Sequence, residues 1–353
     1  MDKNTKIYIA GHKGMVGSAI KRNLEAKGFT NFVTRTKEEL DLLNEQEVAT
    51  FFEKEKPEMV VLAAAKVGGI VANMTYRAQF IYENLMIQNH VIHQSYVHGV
   101  KKLLFLGSSC IYPRMADQPI REDSLLTGLL ETTNEPYAIA KIAGIKMCEA
   151  YHDQYGCNFI SIMPTNLYGQ NDNYDLEKSH VLPALIRKMY LGKCLMDGNW
   201  TSLRTDLNKR PVEGVNGTFS DDAILQVLNK YGISEFNDEV SITLWGTGSP
   251  MREFLHVDDM ADSSVFLLLN YDAPDTTPSH VNAGCGEDLS IRELSEIVRK
   301  TVGYNGKVIW DSSKPDGTPR KLLDVSRLKE LGWKPSISLE DGIKSVVSSY
   351  LNE

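Results

Sequence analysis

The sequence predicts an α/β protein: a doubly wound parallel sheet with a second, smaller α/β domain attached. Short apolar runs alternate with helical stretches throughout the first half of the chain. The runs are mostly apolar, as in strands buried on both faces, whereas half-exposed strands alternate apolar with polar residues. A glycine-rich turn joins the first run to the first helix. Strand–helix alternation of this kind packs helices on both faces of a parallel sheet. Ligands then sit at the carboxyl ends of the strands.

Taken in order, residues 6–10 read as a strand and 14–27 as a helix. Residues 32–34 and 59–64 read as further strands, 81–98 as a helix, 103–106 as a strand, 136–155 as a long helix and 159–163 as another strand. These form the expected Rossmann domain, residues 1–165, to which part of the later chain has room to return. The rhythm breaks from about residue 166, so 166–353 is the expected substrate-binding domain. Within it, 195–237 is polar and rich in Asn, Asp and Gly, with one amphipathic piece at 223–231, and it reads as an insertion forming a mobile flap without a part in the chemistry. Order resumes at 240–245, the turn 246–250 and 253–257. Residues 290–302 are helical by spacing, and 313–320 form a Pro/Gly loop.

Composition narrows the function classes. The chain has 353 residues, enough for a large nucleotide-binding domain and a smaller one. Its net charge of −8 argues against nucleic acid and anionic membranes as partners, which select basic surfaces. No window of about 18 apolar residues predicts a membrane span, and Met1-Asp2-Lys3 leads almost directly into the first strand without the pattern of a signal peptide. Five scattered cysteines without a C-x-x-C suit a reducing compartment, so a cytoplasmic protein is expected.

The turn Gly11-His12-Lys13-Gly14-Met15-Val16-Gly17 has the strand–turn–helix context of a dinucleotide site. Its glycines allow a tight turn and close approach of backbone to pyrophosphate at the helix N-terminus. An NAD site would place Asp or Glu near the end of the second strand. Here stand Thr34-Arg35-Thr36-Lys37, and two cations suit a 2′-phosphate, so NADP(H) is the expected cofactor.

Tyr137 and Lys141 lie early in one helix, four residues apart and on one face. A free phenol, with pKa about 10, is a poor acid–base catalyst near neutrality, and a neighbouring ammonium draws it toward the working range. Ser108 ends the run Leu103-Leu104-Phe105-Leu106-Gly107-Ser108, where it can hydrogen-bond the same substrate oxygen. Together with the glycine loop, these residues resemble the extended short-chain dehydrogenase/reductases. Arg252-Glu253-Phe254-Leu255-His256-Val257-Asp258-Asp259 is similar to that group's substrate-domain signature. His256, Asp258 and Asp259 read as a strand end and helix cap, and His90, His93 and His98 as helix surface or dimer contact, so no metal site is expected.

Three longer stretches sharpen the resemblance: residues 63–73, Gly107-Ser108-Ser109-Cys110-Ile111-Tyr112-Pro113, and residues 134–141. With Met163-Pro164-Thr165-Asn166-Leu167-Tyr168-Gly169 and Ser179-His180-Val181, they resemble the GDP-L-fucose synthase family over roughly residues 5–193 and 240–345. The resemblance implies a bifunctional enzyme that epimerises C3 and C5 of GDP-4-keto-6-deoxy-D-mannose and reduces its C4 ketone with NADPH. It implies Cys110 as base and His180 as acid, beside Ser108, Tyr137 and Lys141. Leu106, Gly107, Ser108, Lys141, Pro164, Asn166, Leu167 and His180 join the glycine loop in holding the cofactor. Lys188, Trp245, Arg252, Lys307, Asp316 and Lys321 contact the GDP-sugar. A homodimer built through a four-helix interface is the implied assembly, with Leu85, Ile92, Ile142 and Ile145 facing either the sheet or the twin.

Three rival readings share part of this pattern. A 4,6-dehydratase resembles enzymes with Thr and carboxylates where this chain has Ser108-Ser109-Cys110. A UDP-hexose 4-epimerase retains NAD, which Arg35 and Lys37 disfavour. A non-catalytic NADP(H)-binding regulator has no need of Ser108, Tyr137 and Lys141 together.

Overall fold

The computed structural model describes residues 2–237, 239–314 and 316–352; Met1, at the expected leaderless start, and Pro315, in the expected 313–320 loop, lie outside them. The chain divides into two compact units. The larger comprises Met1–Asn171, Glu253–Glu287 and Lys321–Ile337, the smaller Asp172–Arg252, Asp288–Arg320 and Ser338–Glu353.

The larger unit begins β1 (Ile7–Ala10), α1 (Met15–Ala26), β2 (Phe32–Val33), α2 (Glu45–Glu55) and β3 (Met59–Leu62). It continues with α3 (Ile70–Thr75), α4 (Arg77–Val97), β4 (Lys102–Leu106), α5 (Glu135–Tyr155) and β5 (Phe159–Pro164). Its six-stranded sheet has the order Val281–Ala283, β5, β4, β3, β1, β2, and every pairing is parallel. Strand residues alternate between two cores. Tyr8, Val60, Leu62, Leu103 and Phe105 pack on one face with Val91, Ile92, Ile142 and Ile145 from α4 and α5. Ile7, Ile9, Met59, Val61, Leu104 and Leu106 pack on the other with Ile20 and Leu24 of α1 and with Met260 and Val265 of the helix Val257–Asn270. Burial on both faces explains why these strands are mostly apolar.

Helix α2 falls where no helix is expected from periodicity. Asn44 caps it, its side chain accepting from the Gln46 and Glu47 amides. Val48, Phe51 and Phe52 then dock against the sheet.

The smaller unit carries a three-stranded sheet: Lys307–Asp311 runs parallel to Glu239–Trp245, which pairs antiparallel with Ile233–Phe236. Here the expectation of a mobile flap at 195–237 is corrected. That stretch forms the helices Trp200–Lys209 and Asp221–Lys230 and the strand Ile233–Phe236. The helices bury Leu203 and Leu207, and Ile224, Val227 and Leu228. Asp206 accepts from Nε of Arg187 at 3.0 Å, on the helix Val181–Met196, and both side chains are buried. Tyr350, from the C-terminal helix Leu339–Asn352, donates to the same carboxylate. A buried charge is tolerated only when paired, so Asp206 ties the segment into the unit.

Candidate active site

The cofactor turn follows β1. Gly11 has φ of +84°, and a Cβ there would stand 2.7 Å from the Ala64 amide nitrogen; a Cβ on Gly17 would stand 2.2 Å from the Gly11 carbonyl oxygen. Only glycine fits both positions. Gly14 caps α1 without a side-chain hydrogen bond, so the helix presents bare backbone donors at its positive end. Nδ1 of His12 is buried without a partner. A backbone cradle, an uncapped helix N-terminus and an unpaired imidazole nitrogen fit a dinucleotide pyrophosphate. Lys13 and Lys37 are exposed at this edge. Arg35 is already engaged: it donates to Glu55 at 2.7 Å and to the Thr34 carbonyl at 2.8 Å. Nothing in the local sequence marks Glu55, twenty residues away, as the group that orients Arg35.

Ser108 follows β4, beyond Gly107, where a Cβ would run into the Met163 side chain at 2.2 Å. The Ser108 hydroxyl caps a 3-10 turn, Ser109–Ile111, accepting from the Cys110 amide at 3.4 Å. Tyr137 and Lys141 project from the first turns of α5. The Lys141 ammonium donates to the Leu106 carbonyl at 2.7 Å and lies 4.8 Å from the Phe105 ring centre and 5.7 Å from that of Tyr137. The Phe80 and Tyr137 rings meet in a T-shaped pair, 6.3 Å between centres. The structure thus brings Ser108, Cys110, Tyr137 and Lys141 together at the carboxyl end of β4.

Burial sets the protonation of this group. It pushes the Tyr137 phenol well up, helped by Cys110 and opposed by a hydrogen bond with Ser108. It pushes the Lys141 ammonium down to about 8, with Cys110 opposing. At the phenol, desolvation thus outweighs the hydrogen bond with Ser108. Burial likewise raises the Cys110 thiol, against the pull of the Lys321 and Lys141 cations and Ser108. The resting state is thiol and phenol.

The cofactor candidates Pro164, Asn166 and Leu167 lie at the end of β5 and in the short strand after it, which pairs in parallel with Phe254–His256. Asn166 donates to the Glu253 carbonyl at 2.9 Å. Glu253 itself, which the sequence reading left without a role, is fully buried and accepts from the Gly286 and Leu323 amides. An acid immediately before the apolar pair Phe254-Leu255 is a signal of such a buried tie.

In the smaller unit, His180 is the N-cap residue of the helix Val181–Met196, exposed and without a side-chain capping bond; Lys188, half-buried on that helix, is pushed down to about 8 by desolvation. Asp316 accepts from the Thr247 amide and hydroxyl at 2.9 and 2.7 Å, beside Gly246. Arg252 lies near Gly317, half-buried, and desolvation lowers its pKa. Trp245 is exposed, with Lys314 over its ring. Trp245, Arg252 and Asp316 thus lie around one turn. Lys307 does not join them: it pairs with Ser241, while Asp311 pairs with Trp245, which puts Lys307 about 13 Å away along the strand.

A family model, the NAD dependent epimerase/dehydratase family, matches residues 7–211 and 208–284. GDP-L-fucose synthase 1 of Arabidopsis thaliana is 53% identical over 350 residues, 99% of this chain and 94% of that protein. GDP-L-fucose synthase of Escherichia coli K12 is 49% identical over 351 residues, 98% and 96% of the two chains. The chain belongs to the NAD dependent epimerase/dehydratase family, among the GDP-L-fucose synthases. A solved structure of GDP-mannoheptose C4 reductase from Campylobacter jejuni with NADP bound matches the family fold with TM-score 0.86 at 45% identity, over 99% of each chain. No helix among the described residues is long and apolar enough to cross a membrane, and no group of three or more His, Cys, Asp or Glu able to hold a metal occurs among them.

Proposed function

We propose that this enzyme converts GDP-4-keto-6-deoxy-D-mannose to GDP-L-fucose, inverting C3 and C5 and then reducing the C4 ketone with NADPH. One observation carries the reading: Ser108, Cys110, Tyr137 and Lys141 meet at the carboxyl end of β4, so a thiol stands where a dehydratase needs carboxylates.

NADPH, held by the glycine turn with Lys13, Arg35 and Lys37 at its 2′-phosphate, supplies hydride to C4 when bound. Tyr137 hands its phenolic proton to the C4 oxygen in that step. Its raised pKa keeps the proton in place until oxyanion charge develops. Ser108 hydrogen-bonds the same oxygen, and that contact also stabilises the enolate formed when a proton leaves C3 or C5. Cys110 takes those protons as thiolate, a form favoured by Lys321 and Lys141, and His180 is the proposed acid. The larger unit binds the dinucleotide, and the smaller one the GDP moiety through Lys188, Trp245, Arg252 and Asp316.

The assembly proposed is a homodimer through α4 and α5. Ile92, Ile142 and Ile145 are buried in the chain's own core, which leaves the exposed Tyr82, Val97, Ile139 and Tyr155 for a twin. A free Cys110 thiol suits a reducing cytoplasm. The second reading is a GDP-4-keto-heptose reductase, favoured by the 45% identity to the Campylobacter jejuni enzyme. The test follows nicotinamide absorbance with GDP-4-keto-6-deoxymannose and with a GDP-4-keto-mannoheptose in parallel. Oxidation of NADPH by the deoxy sugar, yielding GDP-L-fucose, is expected. Turnover of the heptose alone would replace the substrate, and silence with both would sink the reading.

A further inference from the structure

Behind the Cys110 turn lies a buried polar relay that the chemistry above does not use. Asn282 sits in the edge strand Val281–Ala283, fully buried. Its Nδ2 donates to the carbonyls of Ile120 and Asp324 at 3.0 and 3.1 Å. Its Oδ1 is therefore the acceptor for the Tyr112 hydroxyl at 2.5 Å. A phenol has one proton. With that proton given to Asn282, the contact of Tyr112 with His280 Nε2 at 3.0 Å must be a donation from the imidazole. The imidazole then bears no proton on Nδ1, and Nδ1 is indeed buried without a partner. Burial pushes His280 down to about 4 and Tyr112 well up, so both stay neutral.

The relay is anchored on all sides. The Asn282 amide donates to Glu122 at 3.1 Å, and Arg327 donates to the His280 carbonyl at 2.9 Å. The Ile120 amide donates to the Leu322 carbonyl at 2.7 Å, and the Asp324 amide to that of Ile120 at 2.8 Å, which ties in the segment that begins at Lys321. Tyr112 closes the 3-10 turn two residues beyond Cys110. At its start that turn has two long bonds, from the Cys110 amide to the Ser108 hydroxyl at 3.4 Å and from the Ile111 amide to the Ser108 carbonyl at 3.3 Å.

We propose that Tyr112, His280 and Asn282 are positioning residues for Cys110, holding its turn in register for proton transfer while leaving hydride transfer at Tyr137 alone. The inference rests on the assignment of Cys110 as the epimerisation base. Small displacements of a reacting group cost heavily in rate.

The test uses the full-length Tyr112→Phe enzyme and two separate rates. Wash-in of deuterium at C3 and C5 of the ketone is followed by mass spectrometry in heavy water with NADP+ present. Hydride transfer is followed in reverse, from GDP-L-fucose to NADP+, in a single turnover. Loss of the two buried hydrogen bonds of the Tyr112 hydroxyl is expected to slow wash-in about tenfold or more while hydride transfer changes less than about twofold. A merely structural role would reduce the folded fraction and lower both rates together. Should Tyr112→Phe fold poorly, His280→Leu is expected to reproduce the selective loss, and His280→Gln, which keeps an N–H donor, to restore wash-in. Equal effects on the two rates in Tyr112→Phe and His280→Leu would overturn the proposal. A wild-type enzyme that exchanges no deuterium yet transfers hydride would refute the epimerase reading instead, and the proposal with it.

Discussion

Lys141 illustrates how a catalytic site trades stability for function. Its ammonium is buried at 4% exposure, with one carbonyl partner, and its pKa falls from 10.5 to about 8. That fall corresponds to about 3 kcal/mol by which the folded chain disfavours the charged form. Below pH 8 both folded and unfolded states hold the proton, so the penalty is present in full. Between 8 and 10.5 the unfolded state binds more protons, and stability rises with pH as the penalty is relieved. Lys141→Met removes the charge but strands the Leu106 carbonyl, at a cost of about 1–3 kcal/mol. The variant lacking cofactor is therefore expected to be as stable as wild type at pH 7, or up to about 2 kcal/mol more stable. Its relative stability should fall by about 3 kcal/mol on moving to pH 10.5. Urea midpoints of both proteins at several pH values measure this difference, in which other titrating groups cancel. NADPH oxidation by the variant should be nearly abolished. A stability difference independent of pH would refute the claim that Lys141 is held charged against its surroundings.

Cys110→Ser should stop deuterium entering C3 and C5 while NADPH binding persists, and Tyr137→Phe should let deuterium wash in while NADPH oxidation nearly stops, both read by mass spectrometry and absorbance. Because burial raises the Cys110 thiol, wild-type wash-in should rise as pH climbs from 6 toward 9; a flat profile would rule out the thiolate. Arg35→Ala should cut the preference for NADPH over NADH about tenfold or more, measured by fluorescence titration of each, since a charge-assisted bond is worth about 1.5–3 kcal/mol. Asp206→Ala leaves the fully buried Arg187 unpaired and should cost about 3–5 kcal/mol, seen as a lowered thermal midpoint. A homodimer predicts twice the chain mass by light scattering at micromolar concentration, and a monomer would reject the α4–α5 interface.

The features legible in the sequence are those whose physics is local. The glycine turn between β1 and α1, the four-residue spacing of Tyr137 and Lys141, and the apolar strands from β1 to β5 each depend on neighbours within a few residues, so pattern and spacing suffice. Helix α2 was also locally encoded, in the Asn44 cap and in Val48, Phe51 and Phe52, but its charged outer face diluted the apolar signal. The stretch 195–237 reads as loop because its helices are short and their apolar residues sparse; what orders it is Asp206, meeting Arg187 and Tyr350 from distant parts of the chain. Only the tertiary structure decided that residues 257–270 and 281–283 return to the larger unit, that Glu55 holds Arg35, and that Lys307 stands a strand's length from Trp245. It also decided the charge states of Tyr137, Lys141 and Cys110. Desolvation depends on everything packed around a group, and no spacing along the chain records it.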